Sequence, residues 1–464
     1  MGEGTLPVSR SSLLLVASSL LAMAAAPSAA YAQRMADELE ILLQSHPLLK
    51  AKSSLVSGST EAITAARAGY LPTVKLTGDA GPEYVNSPTR RSTEGEAFFK
   101  GRETVGLVVT QRLFDGYSTD SAVETAKLTE AYYQTDLRDT RQTTLLQGIR
   151  AYLNVLRFNR LIQLARENER KVQDQMNLED ERVIKGSGIA SDVLAAKQRL
   201  QMAKEARVDF EGQFSVWTAT YQQLYGHAPN VAGFSDPPLP SSLLPSELTE
   251  AVTQAERNNT TVAMSHKGVE IADERRRGAE SGYYPNIDLV GRANYENDKN
   301  AVLGVRRDWS VLLTATWEIF SGFKTQAQVA QAGYQQSAAR ESRDFAGRAA
   351  SEQARTAWYT LDSARQRTLL LENAAVMAEE VWNNTRTSLE KGGNATVRDV
   401  LDDEMRINDA KIKHANAYYD MVLAGYSLLA AMGELDMDNI AQVMGPKGAG
   451  SQLTPPAALI ATPR

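Results

Sequence analysis

Gln111-Arg112-Leu113-Phe114-Asp115-Gly116-Tyr117 ends a stretch of alternating apolar residues on an aromatic-polar-glycine-aromatic turn. The same grammar returns in Trp317-Glu318-Ile319-Phe320-Ser321-Gly322-Phe323. Working outward, the flanking sequence repeats as well, each time about 210 residues later, which marks an internal duplication. Gly69-Tyr70-Leu71-Pro72 recurs as Gly282-Tyr283-Tyr284-Pro285, and Ala151-Tyr152-Leu153 recurs as Ala357-Trp358-Tyr359. Asp192-Val193-Leu194 returns as Asp399-Val400-Leu401, and Gly226 as Gly433. One shared tetrapeptide would be chance, but collinear anchors are not. The chain is written twice, with halves near 33–246 and 247–433.

Each half follows the same plan. Residues 35–68 carry helical spacing until Gly69 and Pro72 stop it. Polar and apolar residues then alternate from Leu71 to Ala80, and again from Val105 to Phe114. That period of two marks strands with one wet and one apolar face. In the second half, Ile287 and Leu289 alternate with Asn286 and Asp288, and Trp309, Val311, Leu313, Ala315, Trp317 and Ile319 alternate with Ser310, Thr314, Thr316 and Glu318. The polar stretches 82–102 and 294–305 read as loops, so there are four strands per chain.

The remainder is helix of unusual length. No proline occurs from Tyr117 to Lys185 or from Phe323 to Lys391. Either stretch would span about 100 Å at 1.5 Å per residue, far beyond an ordinary globular helix. Shorter return helices are expected over 190–224 and 397–432. Between outgoing and return helices lie Lys185-Gly186-Ser187-Gly188 and Lys391-Gly392-Gly393-Asn394. A lysine followed by glycine is a C-cap signature and forces a hairpin. Ser191 is expected to cap the first return helix.

Composition narrows the classes. The chain has 50 Lys and Arg against 56 Asp and Glu, a net charge of −6, which gives no electrostatic case for nucleic acid. With no cysteine, disulfides, thiolate metal sites and an N-terminal lipid-anchored cysteine are excluded. His46, His227, His266 and His414 are scattered, so neither a histidine metal centre nor any cofactor is expected. Arg10, an apolar run from Leu13 to Leu21 and Ala30-Tyr31-Ala32 read as a secretory signal peptide over 1–32. Residues 434–464, with Gly-Pro and Pro-Pro, read as a flexible periplasmic tail.

A signal peptide, no apolar 18-residue segment and amphipathic strands of about 10 residues point to an outer-membrane β-barrel. In lipid every backbone group must be paired, so four strands need copies from other chains. Three chains would supply twelve strands, enough to enclose water. The expected fold is an α+β membrane protein: a trimeric 12-stranded barrel continuous with a long helical periplasmic barrel. A soluble periplasmic coiled-coil adaptor is the rival reading. It explains hairpins and signal peptide but not four alternating strands. No nucleophile–base set or phosphate loop is visible, so an enzyme is not expected.

The duplicated plan, the Gly-Tyr-Leu-Pro and Gly-Tyr-Tyr-Pro strand openings, the Leu-Phe-Asp-Gly and Ile-Phe-Ser-Gly strand closings, and the glycine turns followed by Asp-Val-Leu resemble the TolC family of outer-membrane efflux and secretion channels. The resemblance covers about residues 35–435, and the lack of cysteine places the chain nearer the unlipidated, type I secretion-like branch. It implies a homotrimer in outer-membrane lipid that docks onto a periplasmic adaptor (a membrane fusion protein) and an inner-membrane transporter of ABC or RND type.

The hairpin ends hold the candidate site. Asp399 and Asp402 are spaced i, i+3 and share a helix face, so three chains would place rings of carboxylates at the narrow end, where they attract cations. Acidic residues in a first helical turn also simply favour the helix dipole. The resemblance implies that Asp399 and Asp402 line the periplasmic entrance and that Asp192 belongs to a closing latch. The tyrosine and arginine of the family latch are replaced here by Glu390 and Ala395, leaving Arg398 as the nearby substitute. Gly186, Gly188, Gly392 and Gly393 mark the hairpin tips expected to meet the partner.

Overall fold

The computed structural model describes residues 35–186 and 189–444. The signal peptide expected over 1–32, Gly188 and the last twenty residues of the expected tail lie outside the described residues.

The duplication is visible element by element. The first half opens with α1 (Met35–Ser45) and α2 (Pro47–Arg67), followed by β1 (Thr73–Val85), a short α3 (Pro88–Glu94) and β2 (Phe98–Phe114). Two long helices follow, α4 (Ser118–Ile184) and α5 (Ala190–Tyr225). The second half repeats this as α6 (Leu248–Asn258), α7 (Thr260–Glu280), β3 (Asn286–Asn297), β4 (Val305–Thr316), α8 (Lys324–Glu390) and α9 (Val397–Ala431). A final helix, α10 (Met437–Met444), has no counterpart. The equivalent helices α4 and α8 are both 67 residues long, about 100 Å at 1.5 Å per residue.

Matching breaks separate α1 from α2 and α6 from α7. Pro47 lacks an N–H and opens α2 after His46, whereas Asn259 makes the equivalent bend by accepting from the Thr261 and Val262 N–H groups. The aromatic-glycine turns singled out in the sequence are the points where strand becomes helix. Gly116 and Tyr117 are both left-handed (φ 65° and 69°), as are Gly322 and Phe323 (62° and 66°). Two successive residues of positive φ swing the chain from the sheet into the helix axis.

The four strands form one antiparallel sheet in the order β1-β2-β3-β4, so β1 and β4 are left as open edges. Register sorts the side chains. One face carries Val74, Leu76, Leu107, Val109, Leu289, Ala293, Trp309, Val311 and Leu313 in facing rows. The opposite face carries Lys75, Thr77, Asp79, Thr104, Asp288, Arg292, Asn294 and Asp308.

Several boundaries differ from the sequence expectation. The strands run deeper into the stretches read as loops: pairing continues through Glu83 with Lys100 and Tyr84 with Phe99, and connectors shrink to 86–97 and 298–304. The polarity of those stretches misleads because Arg102 pairs with Asp79 and Glu83 along the sheet (2.8 and 3.2 Å). β4 stops at Thr316, before Trp317, whose indole N–H donates to the Tyr283 carbonyl (3.1 Å). Ile189, not Ser191, occupies the N-cap of α5, and it makes no side-chain cap bond. Residues 434–444, expected to begin a flexible tail, pack instead: Leu435 and Ile440 are buried, and Asn258 bonds Glu434.

The core lies midway along the long helices. Leu39 and Leu42 of α1 meet Ile149, Tyr152 and Val155 of α4, together with Tyr221 and Tyr225 of α5, Val422 and Tyr426 of α9, and Met432 just past its end. Residues 226–247 cross this cluster and accept from the Tyr152, Tyr419 and Tyr426 hydroxyls, while Tyr221 donates to Glu38 of α1. Tyr152 stacks on Phe234 (4.3 Å between centroids) and donates to the Ser235 carbonyl, while Tyr419 donates to Asp236 (2.8 Å).

Candidate functional site

The two hairpins end side by side, away from the sheet. At the second tip Gly392 has φ 72°, its N–H donates to the Leu389 carbonyl, and the Gly393 N–H donates to the Ser388 carbonyl. This is a Schellman closure, and it uses glycine where a side chain would strain the left-handed residue. Gly186 takes the equivalent place at the first tip, with φ 76° and an N–H donating to the Val183 carbonyl.

Beyond the second tip, α9 presents a run of acids that the helix turns toward different neighbours. Asp399 is consumed locally. Its carboxylate accepts from the Thr396 N–H (2.8 Å) and hydroxyl (2.7 Å), while Thr396 Oγ1 accepts from the Asp399 N–H, a reciprocal capping box. Those Thr396 bonds favour the ionised form and hold the Asp399 carboxyl below its usual range.

Asp402 reaches the other hairpin. Its Oδ1 pairs with the Arg199 guanidinium of α5 at 2.7 Å. Asp403, buried, turns inside its own hairpin to accept from the Thr385 hydroxyl of α8 (2.7 Å) and from Arg406 (3.1 Å). Glu404 faces α4, where Lys171 lies 3.9 Å away. Burial between the hairpins pushes the Glu404 carboxyl above its ordinary range, against the opposing pull of Lys171 and Arg386. Three successive side chains separated by about 100° thus meet three different helices.

A cleft of about 430 Å³ opens between the hairpins beside this run. Asp192 and Arg398 both line it, with Ala195, Ala196, Arg199, Leu401 and Glu404. The structure therefore brings the two expected latch residues to one cleft, but no bond joins them among the described residues. The close ion pair that crosses beside the cleft is Arg199–Asp402, with the longer Lys171–Glu404 pair near it and Arg157–Asp420 crossing farther from the tips. Sequence reading missed Arg199, although it occupies the same repeat position as Arg406 and lies two turns from Asp192. In the first half, Ala195 and Ala196 stand where the second half has Asp402 and Asp403. That asymmetry leaves room for the crossing pair.

Among the described residues no group of three or more His, Asp and Glu is arranged to hold a metal ion, and no helix is long and apolar enough to cross a membrane. The sheet supplies the membrane contact. Trp309, Leu76 and Leu313 on its apolar face are 80%, 71% and 66% exposed in the single chain, the surface an outer-membrane barrel turns to lipid. Trp309 sits toward the connector end, while Trp317, Tyr283 and Tyr284 lie at the junction with the helices, so aromatic rings mark two levels.

An amphipathic sheet with open edges, mounted on two helical hairpins whose outgoing arms run about 100 Å, defines an outer-membrane channel whose helical part reaches through the periplasm. The chain belongs to the outer membrane efflux protein family, whose model matches residues 39–227 and 251–434. It is 25% identical over 338 residues to the outer membrane efflux protein BepC of Brucella suis, covering 73% of each chain. It is 23% identical over 425 residues to the outer membrane protein TolC of Vibrio cholerae, covering 90% of this chain and 94% of that one. Among solved structures, the outer membrane protein VceC of Vibrio cholerae superposes with a TM-score of 0.73 at 16% identity, covering 86% of this chain and 96% of that one. The expected family, fold and outer-membrane location are borne out. The soluble adaptor reading finds no support in these relatives.

Proposed function

We propose that three copies of this chain close into one passive duct that carries cargo from an inner-membrane transporter and its periplasmic adaptor across the outer membrane. The observation that carries this is the sheet: apolar on one face, polar on the other, and open at both β1 and β4. Three such sheets satisfy every edge and enclose a polar bore. The named relatives are an efflux protein and outer-membrane proteins, in keeping with transport powered elsewhere, and no catalytic role is assigned to this chain.

The periplasmic end is held shut by contacts between the hairpins of each chain, with Arg199–Asp402 as the crossing latch. Asp192 and Arg398 are its neighbours in the cleft. Asp399 and Asp402, repeated three times, make the entrance acidic and cation-preferring. A periplasmic adaptor and inner-membrane transporter engage the tips around Gly186, Gly188, Gly392 and Gly393 and draw the second hairpin from the first. A partly exposed ion pair contributes only about 0.2–1 kcal/mol, so three latches fall within what a docking partner can offset.

Planar-bilayer recording of the purified protein tests this. Discrete steps are expected from the wild type, with larger steps from Arg199→Ala, because α9 is then released from α5. Absence of insertion by folded protein would remove the duct. Unchanged step size in Arg199→Ala would keep the duct and remove the latch.

A further inference from the structure

The polar face of the sheet carries a charge pattern that the duct reading does not use. Pairing register places residues in rows across the four strands. One row runs Lys75, Val108, Arg292, Ser310. The row nearer the helices is Thr73, Thr110, Val290, Leu312, and the row nearer the connectors is Thr77, Gly106, Asn294, Asp308. The middle row thus holds two cations and no anion.

Most other charges on this face are engaged. Arg102 pairs with Asp79 and Glu83, Arg112 with Asp288 (3.4 Å), Arg306 with Asp308 (3.5 Å), and Glu296 with Lys299. Lys100 lies opposite Glu83 at the outer margin. Lys75 and Arg292 are exposed, and among the described residues neither forms an ion pair. They stand two strands apart, about 10 Å at the usual interstrand spacing. That is comparable to the Debye length of about 8 Å at physiological ionic strength, so their fields overlap.

We infer that Lys75 and Arg292 form a basic girdle inside the barrel, which attracts multivalent oxyanions and gives the membrane part of the duct an anion preference opposite to that of its acidic entrance. The inference rests on the trimeric duct, in which three copies set six such cations around one bore. Rings of Lys and Arg are the usual means by which pores favour anions and phosphates. The guanidinium supplies a planar fork for an oxyanion and the ammonium a mobile point charge. The Ser310, Thr77 and Thr110 hydroxyls in or beside the row provide further donors.

The test is single-channel recording of the intact trimer with inorganic tripolyphosphate added on the connector side, wild type beside Lys75→Gln/Arg292→Gln. Wild-type steps should be interrupted by the polyanion, less so as salt rises. The double variant should need about tenfold more polyanion for equal block, a loss of about 1.4 kcal/mol. Its reversal potential in a salt gradient should also move toward cations. The single variants should fall between, and they decide the matter where the double variant fails to insert. Equal block and equal reversal potential in all proteins would overturn the girdle while leaving the duct intact. No conductance steps from folded wild-type protein would overturn the duct itself.

Discussion

At the scale of single residues, the repeat makes its own controls. Gly226 and Gly433 end α5 and α9 with nearly the same left-handed backbone (φ 80° and 77°). A Cβ at Gly226 meets nothing within 4 Å, whereas at Gly433 it would overlap the Asn258 carbonyl oxygen and lie 2.6 Å from its carbon. Gly226→Ala therefore carries only the left-handed penalty of about 1–2 kcal/mol. Gly433→Ala adds a backbone clash that no rotamer relieves, so its melting temperature should fall by more than that of Gly226→Ala. Equal losses in a thermal melt would show that α9 can shift away from the bend at Asn259. The glycines were legible in sequence as equivalent turn residues. Their different surroundings were not, because the Asn258 backbone comes from a distant part of the chain.

The acids of α9 make the same point. Asp399 and Asp402 share a helix face by spacing, which the sequence states correctly. One nevertheless closes a capping box with Thr396 and the other reaches Arg199. The Asp399 cap is favoured by ionisation. It is fully present above the ordinary aspartate value and is lost as pH falls through the lowered one.

At the scale of elements, the inter-hairpin contact has a pH response of opposite sign. The folded-state pKa of Glu404 is raised above its ordinary value of 4.5 by burial. The folded protein therefore binds this proton more tightly than the unfolded one. The contribution favours folding at low pH and declines as pH rises from 4.5 through the raised value. Glu404→Gln mimics the protonated form, so it should stabilise the α4–α9 contact at neutral pH and lose that advantage toward pH 4.5. Thermal melts of the detergent-solubilised proteins across this range check it. A constant difference between variant and wild type would mean that Glu404 is not held between the hairpins. Helix lengths, hairpin positions and strand-to-helix turns were all readable from proline-free runs and Lys-Gly caps. Strand ends were not, because the cross-strand ion pairs of Arg102 keep polar residues inside the sheet.

At the scale of the whole molecule, the apolar face carries the membrane prediction. Leu313 lies within β4, opposite Leu289, and is exposed in the single chain. Leu313→Arg should lower barrel stability by about 2–4 kcal/mol if the residue lies near the bilayer midplane. Thr314→Arg, one residue away on the polar face, should cost much less. Heat-modified mobility of the assembled barrel in detergent and folding into vesicles read this difference. Equal penalties for the two variants would mean that neither face meets lipid.

The sequence by itself determined the duplication, the order of elements, the two faces of the sheet and the placement of the acids at the hairpin ends. These follow from periods of two and 3.6 residues and from local turn chemistry, which neighbouring residues dictate. Only the tertiary structure decided that Arg199 takes Asp402, that Glu404 is enclosed by α4, that 434–444 belongs to the core, and that Lys75 and Arg292 stand in one row. Each depends on partners far apart in the chain, brought together by register and helix packing. A side chain's rotation of about 100° per residue along a helix sends adjacent acids to different neighbours.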